Sequence, residues 1–122
     1  MINLLLKTLE LTLLNYFTEA PQAPESLKVK VKNTDKVTLE WKAPKDIGGS
    51  KVTGYQIFMK EDDSDDWKKI ASVGAFDTAY TAKNLKTGKQ YKFAVAAENK
   101  IGRGELSELE SPIILQKKPG NK

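Results

Sequence analysis

Apolar and polar residues alternate with a period of two through most of the chain after residue 25. The clearest runs lie at 36–41 and 90–99, and no segment in this region has a helical period. Alternation places every second side chain on the same face of a β-strand, so one face of each run is predicted to be buried. In these two runs the predicted inward residues are Val37, Leu39, Trp41, Tyr91, Phe93, Val95 and Ala97.

The same pattern predicts seven strands. They lie at 27–31, 36–41, 53–60, 67–73, 79–85, 90–99 and 111–116. Residues that favour turns separate them, and the glycines of "KIGRGE" at 100–105 predict a mobile hairpin loop after the longest strand. Many short alternating strands with such turns favour an all-β fold, a seven-stranded antiparallel β-sandwich.

The region before the strands has a different composition. The chain divides into an apolar leader at 1–20, a proline linker at 21–25, a sandwich domain at 26–116 and a basic tail at 117–122. Ten apolar residues lie between positions 2 and 17, but Lys7 and Glu10 interrupt them, whereas a membrane span needs about 20 uncharged residues. We expect the leader to be a short helix, with a secretory signal or an incomplete chain start as alternatives.

Composition excludes several kinds of chemistry. The chain has no Cys and no His, which removes disulfides, thiolate nucleophiles, Cys/His metal sites and the usual general base. We therefore predict no enzyme activity, no metal and no cofactor. The lack of Cys and of Asn-x-Ser/Thr sequons favours a reducing, cytoplasmic location. An extracellular location is the alternative. The net charge of +4 is too small and too dispersed to indicate nucleic-acid binding.

Two motifs have a ligand-binding interpretation beside a structural one. Gly48-Gly49-Ser50 is glycine-rich, but a phosphate cradle opens a helix and these glycines precede a strand, which favours a turn. "EDDSDD" at 61–66 suggests Ca²⁺, but an EF-hand loop starting at Asp62 would need glycine where Trp67 stands. A solvated acidic turn is favoured there. "KVKVK" at 28–32 puts three lysines on one face of a strand, which favours protection of a sheet edge over an anion site.

The chain resembles a fibronectin type III domain over about residues 23 to 116. The resemblance rests on spaced positions in three strands, namely Pro24, Trp41, Tyr55, Leu85, Gly88, Tyr91, Phe93, Val95, Ala97 and Asn99. It implies that Trp41 is a core tryptophan. It also implies that Leu85 and Tyr91 form a tyrosine corner, in which the tyrosine hydroxyl bonds back to the preceding turn.

A narrower resemblance links the chain to the type III modules of the titin, twitchin and myosin-binding families. It rests on "WKAPKDIGGSKVTGY", on "DW" at 66–67 and on "NKIGRGELSE", with Ala43 and Ile47 departing from the usual pattern. It implies a non-catalytic protein–protein interaction or structural module of a muscle or cytoskeletal protein, monomeric when isolated. An extracellular adhesion or receptor module, or a regulatory segment beside a kinase domain, are the alternatives. A membrane role is not expected.

Phe58 is predicted to be exposed on the outer face of its strand, because Tyr55 and Ile57 face the core. The resemblance places this strand beside the 90–99 strand, whose small outward residues would leave room for a partner. A lone surface aromatic residue is the alternative. Arg103 is expected in the neighbouring loop, contacting a partner or an adjacent module. The predicted interaction face comprises Phe58, Lys60, Lys92, Ala94, Ala96 and Arg103. Trp67 is expected to be a half-buried cover for the core.

Overall fold

The computed structural model of the protein describes residues 18 to 116. The basic tail and the predicted leader helix, up to residue 17, lie outside the described residues. Residues 18–116 form eight strands and contain no helix that could cross a membrane. The strands are β1 (Glu25–Lys32), β2 (Val37–Lys42), β3 (Gly54–Glu61), β4 (Lys68–Gly74), β5 (Ala79–Ala82), β6 (Gln90–Glu98), β7 (Arg103–Glu108) and β8 (Ile113–Ile114).

The strands form two antiparallel sheets. One has the order β1-β2-β5, and the other has the order β4-β3-β6-β7, with β8 also paired to β6. The predicted all-β antiparallel sandwich is confirmed, with eight strands in place of seven. The residues predicted to face inward on β2 and β6 are buried between the sheets, because each sheet must cover one apolar face.

Strand β7 is the element that the hydrophobic pattern did not predict. Its six residues include one large apolar side chain, Leu106, so they show no alternation. Pairing with β6 defines the strand, since Val95 lies opposite Ser107 and Ala96 opposite Leu106. The predicted mobile loop is therefore a tight turn at Asn99–Gly102, whose end residues exchange two backbone hydrogen bonds of 3.1 Å. The predicted last strand, at 111–116, shortens to the two residues of β8.

The aromatic residues of the family signature lie in the core. The rings of Trp41 and Tyr55 lie 5.5 Å apart at a tilt of 59°. The Tyr91 hydroxyl accepts a hydrogen bond of 2.8 Å from the backbone N–H of Lys86, directly after the buried Leu85. This is the bond expected of a tyrosine corner, and it ties the start of β6 to the turn before it.

The edge strand β1 differs from the predicted lysine face. Register shifts on either side of its centre place Val31 opposite Thr38, so Val31 lies half-exposed among the lysines. Lys28 forms an ion pair of 3.4 Å with Glu40 on β2. The three lysines therefore do not form one continuous face, because the bulges interrupt the period of two.

Antiparallel pairing brings four segments to one end of the sandwich, which we call the N-terminal pole. They are residues 19–22, the β2–β3 loop at 43–53, the β4–β5 turn at 75–78 and the β6–β7 turn at 99–102. The register fixes this arrangement, because Gly54 pairs with both Gly74 and Glu98. The opposite end, the C-terminal pole, contains Gly88, whose N–H donates to the carbonyl of Leu115 at 2.9 Å.

The segment before β1 is docked on the domain. The backbone N–H of Glu19 donates to the carbonyl of Gly48, and that of Gln22 donates to the carbonyl of Asp46, both at 2.9 Å. Pro21 and Pro24 are buried. The stretch predicted to be a proline linker is thus packed against the β2–β3 loop, and its last residue, Glu25, already belongs to β1.

Gly48 permits this docking. Its φ of +78° confirms the turn predicted for the glycine pair. A Cβ atom at this position would also overlap the carbonyl oxygen of Glu19. The glycine is therefore required both by the backbone of the turn and by the close approach of a second chain segment.

Gly48→Ala is expected to lower the free energy of unfolding by about 2–3 kcal/mol, measured by urea denaturation. A left-handed backbone costs an L-residue about 1–2 kcal/mol. Displacing Glu19 and its hydrogen bond adds about 1 kcal/mol. Gly88→Ala is the matched control, because its φ is +82° and an added Cβ would meet no atom within 4 Å. Equal losses for the two variants would contradict the docking of residues 19–22.

Candidate protein-interaction face

The structure brings Phe58, Ala94 and Ala96 together on the outer face of the five-stranded sheet. The prediction that Phe58 is exposed is wrong, since only 7% of its surface is accessible. Ala94 and Ala96 are fully buried. The room that the two alanines leave is filled by side chains of this chain, which form a second, smaller apolar cluster outside the main core.

Four side chains cover this outer cluster. Trp67 and Leu106 pack against it from the two flanks of the sheet. The guanidinium carbon of Arg103 lies 5.1 Å from the centre of the Phe58 ring, and the ammonium of Lys60 lies 4.5 Å from the centre of the Trp67 ring. Both distances are within the roughly 6 Å of a cation–π contact. Arg103 was expected in a loop but lies at the start of strand β7. Trp67 was expected to cover the main core but packs against the outer cluster instead.

The surface above the outer cluster is mainly basic. Lys92 is exposed and lies opposite Lys60 in the β3–β6 register. Lys69 on β4, also exposed, lies opposite Phe58. Glu108, opposite Ala94, is an exposed acid on the β7 side. The structure thus presents basic side chains on a rigid aromatic base, which suits an acidic protein surface better than an apolar one.

The acidic run at 61–66 forms the turn between β3 and β4. The Asp62 backbone N–H donates to the carbonyl of Gln90 at 2.7 Å, and its carboxylate accepts from the Gln90 N–H at 3.1 Å. The Ser64 hydroxyl accepts from the Asp66 N–H. Within residues 18–116 no group of three His, Cys, Asp or Glu side chains is placed to hold a metal ion.

Among residues 18–116, the pKa values of two side chains are clearly displaced, and both are raised. Burial raises the pKa of the Tyr55 hydroxyl, which therefore stays protonated in the core. The 3.1 Å hydrogen bond and the charge of Glu61 raise the pKa of the partly buried Lys89 ammonium.

Asn99 organises the N-terminal pole. Its side-chain amide nitrogen donates to the carbonyl of Glu19 at 2.7 Å and to the carbonyl of Ile47 at 2.9 Å. Its side-chain oxygen accepts from the N–H groups of Ile101 at 2.9 Å and Gly102 at 3.3 Å. With 3% of its surface accessible, Asn99 is a fully bonded polar hub that joins three chain segments.

In the sequence, Asn99 is one of the family positions, but no role is predicted for it. The signal was present, because the alternation that buries Tyr91, Phe93, Val95 and Ala97 also turns position 99 inward. A polar residue at a buried position must have hydrogen-bond partners. Those partners belong to other loops, so only the folded chain identifies them.

Comparison with known proteins assigns the fold to a family. A model of the "Fibronectin type III domain" matches residues 22–112. The chain is 36% identical over 91 residues to titin of Drosophila melanogaster. The aligned residues cover 75% of this chain and a share of titin that rounds to 0%. It is 34% identical over 107 residues to the human cell adhesion molecule DSCAM, covering 88% of this chain and 5% of DSCAM.

A domain of known structure is also similar to this chain. The twitchin kinase region of C. elegans contains a domain that matches with a TM-score of 0.76 and 30% identity, covering 85% of this chain and 18% of that one. The chain thus spans a small fraction of the larger proteins that it matches. The match of the family model over most of the described residues, on a two-sheet antiparallel sandwich with a tyrosine corner, shows that this chain belongs to the fibronectin type III family.

Proposed function

We propose that the protein is a non-catalytic structural and protein-binding module of a titin- or twitchin-like muscle or cytoskeletal protein, located in the cytoplasm. Fibronectin type III domains commonly mediate protein–protein contacts within modular proteins. The observation that carries the proposal is the path of the chain. The described chain joins the domain at the N-terminal pole, through Glu19, and reaches the C-terminal pole at Leu115. A domain joined at opposite ends suits a linear array.

The mechanism is rigid presentation. Asn99 and Gly48 fix residues 19–22 to the loops of the N-terminal pole, so the direction of the incoming chain is set by the domain. The hydrogen bond of Gly88 to Leu115 anchors the other end. Anchoring of the chain at both poles would restrict the angle at which a neighbouring module is held.

The proposed partner-binding surface is the outer face of the five-stranded sheet. Lys60, Lys92 and Arg103 supply its charge, and the buried Phe58, Ala94 and Ala96 supply a rigid base. Such a surface favours an acidic protein partner, because its basic side chains outnumber the acid Glu108 and would steer and orient an oppositely charged surface.

Expression of the fluorescently tagged chain in striated muscle cells tests the proposal. We expect periodic, cytoplasmic labelling, and we expect Lys92→Glu to speed fluorescence recovery after bleaching by weakening attachment. Lys36→Glu is the matched control, because Lys36 is exposed in the turn between β1 and β2, away from this face. Uniform labelling that neither variant alters would overturn the proposal.

An extracellular adhesion module is the second candidate. The 34% identity to DSCAM over most of this chain favours it. An antibody against the domain, applied to intact and to permeabilised cells of the source organism, separates the two. Labelling of intact cells supports adhesion, whereas labelling that requires permeabilisation supports the muscle or cytoskeletal role. The match to the twitchin kinase region keeps a segment beside a kinase as a variant of the intracellular role.

A further inference from the structure

Three large apolar side chains lie exposed at the N-terminal pole, one in each of its loops. They are Ile47 in the β2–β3 loop, Phe76 in the β4–β5 turn and Ile101 in the β6–β7 turn, with 39%, 97% and 52% of their surfaces accessible. Single exposed apolar residues are common on protein surfaces. We treat the three at this one end of the domain, where the chain also joins it, as one apolar site, which residues 18–116 leave exposed.

Each of these side chains stands on a turn that hydrogen bonds hold in place. The Asp46 carboxylate accepts from the Gly48 N–H at 2.8 Å, beside Ile47. The Asp77 carboxylate accepts from the Gly74 N–H at 2.9 Å, and the Asp77 N–H donates back to the carbonyl of Gly74 at 3.1 Å, which closes the turn that carries Phe76. A turn whose backbone is already fixed loses little conformational entropy on binding, so the backbone at these positions is preorganised for a contact.

The Asn99 hub brings two of the three together. Its amide nitrogen bonds to the carbonyl of Ile47 and its oxygen bonds to the N–H of Ile101. The turn that carries Phe76 begins after Gly74. Gly54, on the neighbouring strand, pairs with Gly74 on one side and with Glu98 on the other. Two strand spacings, about 10 Å, therefore separate Gly74, at the base of the Phe76 turn, from Glu98, at the base of the Ile101 turn. One short apolar segment is long enough to touch all three.

We propose that residues 1–17 of this chain bind the apolar site formed by Ile47, Phe76 and Ile101. The segment is joined through Thr18 to Glu19, whose backbone is bonded to Gly48 and to Asn99 at this same pole. It contains ten apolar residues among positions 2–17. The reach of even a few residues, at about 3.3–3.6 Å each when extended, spans the site.

Tethering makes this occupant favoured over a separate molecule. A short linker gives an effective concentration in the millimolar range, so a contact too weak to form between free molecules is populated within one chain. The proposed contact lies within one chain, and it would be the same in a muscle module and in an adhesion module. The result of its test is therefore independent of the proposed function.

A single spin label tests the proposal, because the chain has no native cysteine. Thr8→Cys carries a nitroxide within the leader of the full chain, and the loss of amide signal is measured by NMR. We expect strong signal loss at Ile47, Phe76 and Ile101 and little at Gly88, on the C-terminal pole. Replacing the three apolar residues together with serine is expected to remove the loss.

The matched control replaces Val31 and Ile114 with serine, since both are exposed apolar residues outside the N-terminal pole. This variant is expected to keep the signal loss. Mixing spin-labelled chains with ¹⁵N-labelled chains that carry no spin label detects contacts between molecules. Signal loss in that mixture would show that a second copy of the chain is the occupant and would overturn the proposal. Signal loss that persists in the triple-serine variant would also overturn it, because tethering alone would then account for the loss.

Discussion

Replacing Asn99 with alanine is expected to lower the free energy of unfolding by about 3 kcal/mol. The variant removes four hydrogen bonds, each with a net value of about 0.5–1.5 kcal/mol. It also leaves the carbonyls of Glu19 and Ile47 and the N–H of Ile101 without their partner in a partly buried site. Urea denaturation measures the loss, and hydrogen exchange is expected to speed up at the amides of Glu19 and Ile101.

Asn33→Ala is the matched control for this variant. The Asn33 side chain also accepts two backbone hydrogen bonds, from Asp35 and Lys36, but it does so in an exposed turn where water can replace it. A loss below about 1 kcal/mol is expected there, as for a surface cap. If the two asparagine variants lost the same stability, Asn99 would not be the hub that holds the N-terminal pole together.

Phe58→Ala is also expected to lower the free energy of unfolding by about 3 kcal/mol, the lower end of the range for burial of phenylalanine. The ring is nearly inaccessible and fills the trough above Ala94, beneath Trp67 and Arg103. Its removal would leave a cavity that the two small alanines cannot fill. Guanidinium denaturation of the full chain measures the change.

Phe58→Leu separates burial from the contact with Arg103. Leucine keeps most of the apolar volume, so a loss of less than about 1.5 kcal/mol is expected. The cation–π contact would be absent, which accounts for about 0.5–1 kcal/mol of that loss. A loss below about 1 kcal/mol for the alanine variant would show instead that Phe58 is dispensable for folding, as a surface contact residue would be.

The sequence determined the main core of this protein. Period-two alternation identified Val37, Leu39 and Trp41, and the long β6 run, because a half-buried sheet imposes that period on its own sequence. The resemblance to the fibronectin type III family, through Leu85 and Tyr91, identified the corner that the 2.8 Å bond to Lys86 closes. These features are local, so a single stretch of chain is enough to carry them.

The candidate interaction face was only partly predictable. Alternation correctly placed Phe58 on the outer side of its strand, beside Ala94 and Ala96. It could not show that this side is covered, because the covering residues Trp67 and Arg103 come from other elements. Period two gives the face of a sheet on which a residue lies, and only neighbouring strands decide whether that face is exposed.

Strand β7 and the Asn99 hub were decided by the tertiary structure alone. The chain of β7 has no apolar alternation and becomes a strand because β6 offers it hydrogen-bond partners. The amide of Asn99 bonds to Ile47, 52 positions away, and to Glu19, 80 positions away. The local pattern therefore determined which residues enter the core, whereas contacts between distant segments decided how the ends are held and which surfaces remain for a partner, because hydrogen-bond partners and side-chain cover are properties of the assembled sheets.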